Sequence, residues 1–136
     1  METKILVVNK DEATRKLFLG ISEEFEVPID VFANWYDGLT ALLKKEYGLI
    51  FIDTNLGDLT GLEFLRLVNG LDLSAATVLL SASLEKELFH ERSDIRADVY
   101  LERPISVIDV LNNIVTFTQS DRLQQLLKKK NIPRKR

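Results

Sequence analysis

The stretch Leu49-Ile50-Phe51-Ile52-Asp53-Thr54-Asn55-Leu56-Gly57-Asp58-Leu59-Thr60-Gly61 decides the fold class of this 136-residue chain. Four apolar residues run straight into a carboxylate, a short polar loop follows, and a glycine opens the next segment. A continuous apolar run suits a strand of a parallel sheet, whose two faces are both covered by helices. Asp53 then falls at the carboxyl end of a central strand, the edge of an open α/β sheet where ligands and chemistry gather. The same aspartate can equally do no more than cap its turn as an Asx residue. The flanking segments weigh between these readings.

Upstream, Ile5 to Val8 is a second short apolar run, and Asn9-Lys10-Asp11-Glu12 begins a helix with acid in its first turn. Leu17, Phe18 and Ile21 mark the buried stripe of that helix. Pro28 followed by alternating Ile29, Val31 and Ala33 predicts a strand at a sheet edge, where proline is tolerated. Asn34 is the expected N-cap of a helix whose inward side is Trp35, Leu39, Leu42 and Leu43.

Downstream, Gly61 to Val68 predicts a helix, and Thr77 to Leu80 a fourth strand ending in Ser81-Ala82-Ser83. A charged helix is expected around Leu84 to Glu91; its His90, the sole histidine, reads as an exposed residue without ligand-like neighbours. Ala97 to Leu101 predicts the fifth strand, broken by Glu102-Arg103-Pro104, and the last helix of the domain runs through Ile108, Leu111 and Val115. Five strands alternating with helices over short loops spell a doubly wound five-stranded parallel sheet with helices on both faces.

Residues 1–119 read as one domain and 120–136 as a basic C-terminal helical extension or tail. Leu123, Leu126 and Leu127 leave the phase of the preceding stripe, so either Ser120-Asp121 caps a separate short helix or one long helix projects outward. Val107, Val110 and Ile114, off the sheet-facing stripe, are the expected surface of a homodimer.

Composition excludes several classes. Without cysteine there are no disulfides, thiolate metal sites or cysteine nucleophiles. Met1 to Val8 reads as a strand rather than a signal peptide, and no apolar run nears the ~20 residues of a membrane span. The expectation is a cytoplasmic protein with no membrane partner. The last sixteen residues hold seven Lys or Arg against one Asp, leaving 11 basic and 20 acidic residues before them. A terminal basic run of this kind reads as a solvated tail rather than a nucleic-acid contact. No G-x-G-x-x-G follows the first strand, which removes a dinucleotide site.

The predicted strand ends bring Asn9, Lys10, Asp53, Ser81 and Arg103 to one edge of the sheet. Gly61 stands eight residues after Asp53, Ser81-Ala82 is a hydroxyl followed by a small residue, and Tyr100 stands three residues before Arg103-Pro104. In that order and spacing the chain resembles a receiver domain of the two-component response regulators over roughly residues 4 to 118. Arg15, in the first helix, also falls where that family often has a basic residue. The resemblance implies a flavodoxin-like strand order 2-1-3-4-5 and a phosphorelay in which a histidine kinase or phosphotransfer protein donates a phosphoryl group to Asp53. Ser81 and Arg103 would assist, Ser81 and Tyr100 would form the switch, and a downstream protein target would read the result. It implies no enzyme beyond self-catalysed phosphotransfer and dephosphorylation.

The departures from the family pattern are as specific as the matches. Its acidic metal pair falls on Asn9 and Lys10, its lysine on Arg103, and its loop proline on Gly57. Magnesium wants oxygen ligands, and the pair now offers an amide and an ammonium, so Mg2+ binding is expected to be weak or absent. Asp53, Asn55 and Asp11 are the remaining candidate ligands. Two fixed cations, Lys10 and Arg103, are expected to face Asp53 instead. An atypical receiver acting as a metal-independent interaction or dimerisation module is therefore the alternative reading. An aspartate-nucleophile phosphatase resembling the haloacid dehalogenases is more remote, because that family wants an acid at Asn55 and Thr or Val at Gly57.

Overall fold

The computed structural model describes residues 3–82 and 95–132. The helix expected around Leu84 to Glu91, with His90, lies outside the described residues, as do Ser83 and the tail from Pro133 onward. Among the described residues, β1 (Ile5–Val8), α1 (Glu12–Phe25), β2 (Ile29–Phe32), α2 (Trp35–Lys44) and β3 (Leu49–Asp53) come first. They are followed by α3 (Gly61–Gly70), β4 (Ala76–Ser81), β5 (Val99–Glu102), α4 (Val107–Thr118) and α5 (Asp121–Lys129). All neighbouring strands pair in parallel, in the order β2-β1-β3-β4-β5.

The apolar runs explain this order. Successive side chains of a strand point to opposite faces, so β1 sends Ile5 and Val7 one way and Leu6 and Val8 the other. Ile5, Val7, Leu49, Phe51, Val78 and Leu80 meet α1, α4 and α5 on one face. Leu6, Val8, Ile50, Ile52 and Leu79 meet α2 and α3 on the other. β2 and β5, the edges, bury only part of their length.

Each described helix starts on a side-chain cap whose oxygen accepts a backbone N–H: Asp11 from Thr14, Asn34 from Asp37, Thr60 from Glu63, Ser106 from Asp109 and Ser120 from Leu123. At Thr60 the Glu63 side chain reaches back to complete a capping box. Gln119, at φ 53°, ends α4 in the left-handed region, so α5 is a separate helix and not a projection.

α5 folds back against the domain. Leu123 and Leu127 are buried in the same core as α1 and α4. Arg122 donates from Nη1 to Phe25 O (3.1 Å) and from Nη2 to Glu26 O (2.8 Å), serving the carbonyls that the end of α1 leaves unpaired. Lys130 Nζ lies 5.6 Å from the centre of the Phe25 ring and 3.8 Å from Glu24 Oε1.

Three sequence expectations change. Leu43 is 66% exposed; the inward phase of α2 runs through Gly38 and Leu42, and Gly38 sits so close to Val8 that an added Cβ would lie 2.5 Å from its Cγ2. Val110 and Ile114 are buried because α4 packs against both the sheet and α5, which widens its apolar stripe and leaves only Val107, 41% exposed, of the expected dimer surface. β5 begins at Val99, not Ala97, because side chains hold the preceding residues. Asn69 accepts from Arg96 N–H (2.8 Å) and donates to Arg96 O (3.2 Å), and Asp98 accepts from Thr77 N–H (2.8 Å).

Candidate functional site

Parallel register aligns the strand ends. Val8 pairs with Ile52, Asp53 with Leu80, and Ser81 with Glu102, so the next residues emerge side by side. The backbone continues the ladder there: Asn9 N–H donates to Phe32 O, Thr54 N–H to Leu80 O, and Arg103 N–H to Ser81 O at 2.7 Å.

Asp53 is 1% exposed and lies at the centre. Its Oδ2 accepts from Asn9 Nδ2 at 3.1 Å and pairs with Arg103 Nη1 at 3.3 Å. Its Oδ1 accepts from Asn55 N–H at 2.7 Å. Buried carboxylates need such donors. Asn9 is fully buried, and its Oδ1 accepts from Asp11 N–H at 2.9 Å, which fixes Nδ2 toward Asp53.

The loop after Asp53 is tightly specified. Asn55 Oδ1 accepts from Gly57 N–H at 3.2 Å, forming an Asx turn. Gly57 adopts φ +89°, which proline's fixed negative φ forbids; the turn itself explains why glycine replaces it. Gly61 starts α3 hard against the strand, where an added Cβ would meet Asp53 O at 2.2 Å.

Lys10 does not join Asp53. It is exposed and makes no ion pair among the described residues, and its Cδ lies alongside Gly57. The carboxylate therefore faces one bonded cation, Arg103, rather than two. Arg15 Nη1 donates to Asn9 O (3.0 Å) and Lys10 O (2.7 Å), pinning the loop that carries both. Ser81 is buried next to the site. The hydroxyl of Tyr100, a residue 36% exposed, instead accepts from Ala97 N–H (3.4 Å), at the end of β5 away from Asp53. Arg103 Nε is buried and lacks an acceptor among the described residues. A cavity of about 530 Å³ opens beside it, lined in part by Thr14, Leu17, Pro104 and Ile105.

Asp11 is turned to the N-terminus of α1. Its Oδ2 accepts from the Thr14 hydroxyl (2.7 Å) and Thr14 N–H (3.0 Å). The hydroxyl bond, then the backbone bond, hold its carboxyl below the ordinary aspartate value. Its contribution to stability is accordingly present above the unfolded-state value and lost as pH falls through the lower folded one. A carbon-13 carboxyl titration should place the Asp11 midpoint below that of a model aspartate, and Thr14→Val should move it up. A midpoint indifferent to Thr14 would contradict this origin. Thr14 was not singled out in the sequence, though its place three residues after Asp11 is the capping spacing.

These donors do not fit magnesium, which prefers a near-octahedral set of oxygens. Asp53 spends its oxygens on N–H groups and a guanidinium, Asp11 on Thr14, and Asn55 its amide oxygen on Gly57. The Lys10 side chain offers an ammonium and no oxygen.

Comparison with known proteins identifies the architecture. The model of the family described as "Response regulator receiver domain" matches residues 5–115. The chain belongs to that family. This receiver domain, a module of two-component signalling, is 28% identical over 115 residues to the uncharacterized transcriptional regulatory protein YkoG of Bacillus subtilis (strain 168). The match covers 84% of this chain and 50% of the relative, so the chain spans about half its length. Its fold is shared by a CheY-like receiver domain protein from Methanospirillum hungatei JF-1, at 24% identity and a TM-score of 0.74, covering 95% of this chain and 99% of that one. The chemotaxis protein CheY4 of Vibrio cholerae shares it at 18% identity and a TM-score of 0.78, covering 86% and 99%. No helix among the described residues is long and apolar enough to cross a membrane.

Proposed function

We propose that this receiver domain accepts a phosphoryl group on Asp53 from a phosphohistidine of a histidine kinase or phosphotransfer protein, and signals through contacts with a downstream protein. The observation that carries this reading is the convergence of Asp53, Ser81 and Arg103 at three adjacent strand ends. A carboxylate oxygen attacks phosphorus while the P–N bond breaks and its electron pair returns to the imidazole. Arg103 supplies positive charge where the phosphoryl oxygens arrive, and Ser81, buried at the end of the neighbouring strand, would donate its hydroxyl to one of them. Repacking of Ser81 and Tyr100 would then alter the face near β5 and α4.

A second reading has its own support: a module that works by protein contact without phosphorylation. Both Asp53 oxygens already hold donors, so the carboxylate must exchange partners before it can attack.

Incubation with acetyl phosphate, and separately with a phosphorylated histidine donor, decides between them by intact mass. The expected result is a gain of one phosphoryl group that Asp53→Asn abolishes. An unchanged mass with both donors would leave the contact module as the function.

A further inference from the structure

The Asp53 pocket holds more positive donors than its carboxylate can occupy. Arg103 gives Nη1 to Oδ2 while its Nε stays buried without an acceptor among the described residues. Lys10, at the rim of the same loop, has no ion-pair partner there. Asn9 can only donate toward Asp53, because Asp11 N–H occupies its amide oxygen. Asp53, Arg103 and Lys10 together carry one net positive charge. A dication would raise that to three and meet two like charges; phosphorylation, which turns the Asp53 monoanion into a dianionic acyl phosphate, would bring it to zero and supply the missing acceptors.

We propose that this pocket is a metal-free oxyanion site, in which Asn9 Nδ2, the Arg103 guanidinium and Lys10 Nζ hold a phosphoryl group on Asp53 without magnesium. The inference rests on the phosphoacceptor reading above and adds what stabilises the transferred group. With acetyl phosphate as donor the step balances without a proton: an Asp53 oxygen bonds to phosphorus as the P–O bond to the acetyl group breaks, and acetate leaves with the electron pair. Arg103 turns its unpaired edge to one phosphoryl oxygen, and Lys10 swings in from the rim to another.

The test follows intact mass over time with acetyl phosphate, in EDTA and in magnesium, on the full chain. The expected rates agree within about twofold in the two buffers, since no metal takes part. Lys10→Ala should slow adduct formation roughly tenfold or more in EDTA, with an unchanged melting temperature because Lys10 is exposed. Lys10→Asp should make the reaction magnesium-dependent. An adduct that forms only with magnesium overturns the oxyanion site while the phosphoacceptor reading stands. Equal rates in wild type and Lys10→Ala overturn the role of Lys10 and with it the site as drawn. No adduct in either buffer overturns the oxyanion site, and the phosphohistidine donor then decides the phosphoacceptor reading on its own.

Discussion

Arg103→Met should destabilise the fold by about 2–3 kcal/mol, below the roughly 3–5 kcal/mol for removing one partner of a fully buried ion pair. The reduction reflects water's access to Arg103, whose side chain is 29% exposed against 1% for Asp53. Without the guanidinium, Asp53 keeps, among the described residues, the N–H groups of Asn9 and Asn55 against a full buried charge. Asp53→Asn in the Arg103→Met background should recover most of the loss, since a neutral amide needs no counter-ion. Denaturant melts of the two single variants and the double variant give the coupling directly. Arg103→Lys should lose less than Arg103→Met, because the charge remains while the planar fork is gone. Near-additive losses in the cycle would show that the pair contributes nothing to stability.

Gly61→Ala should cost about 3 kcal/mol, at the upper end of overpacking losses, and displace the loop from Thr54 to Thr60. Its Cβ would stand 2.2 Å from Asp53 O and 2.6 Å from Thr54 Cα, both backbone atoms that no rotamer change can move aside. The Gly61 N–H bond to Thr54 O, 2.8 Å, ties the two sides together, so relief must come from shifting α3 or the end of β3. Gly20→Ala is the matched control. An added Cβ there meets nothing within 4 Å, and a mid-helix glycine replaced by alanine should gain roughly 0.5–1 kcal/mol. Equal stability of the two variants, with the Asn55 amide resonance in place, would mean that the close approach is not required.

The sheet was legible because β1, β3 and β4 are nearly uninterrupted apolar runs, and nothing but double-sided burial suits such a run. Strand ends then located Asn9, Asp53, Ser81 and Arg103 together, since in a parallel sheet all carboxyl ends share one edge. What sequence position does not encode is direction. Asn9 and Lys10 are neighbours, yet the chain turns between them, so one side chain enters the pocket and the other lies over Gly57. The amide of Asn9 became a donor only because the N–H of Asp11 claimed its oxygen. On α2, Leu43 fits the helical period as well as Leu42 does, and a glycine contact such as Gly38 on Val8 leaves no apolar mark in the sequence. Val110 and Ile114 looked surplus because their partner, α5, is invisible to the periodicity of α4 itself.

The docking of α5 also bears on how the chain comes together. Arg122 meets Phe25 across 97 residues of sequence, a contact available only after every strand of the sheet has been laid down. With nine residues α5 is shorter than the roughly 12–15 that sustain an isolated helix in water. It is helical by virtue of its berth: Leu123 and Leu127, buried against α1 and α4, supply the stability that nine residues lack on their own, so the helix and its docking stand or fall together.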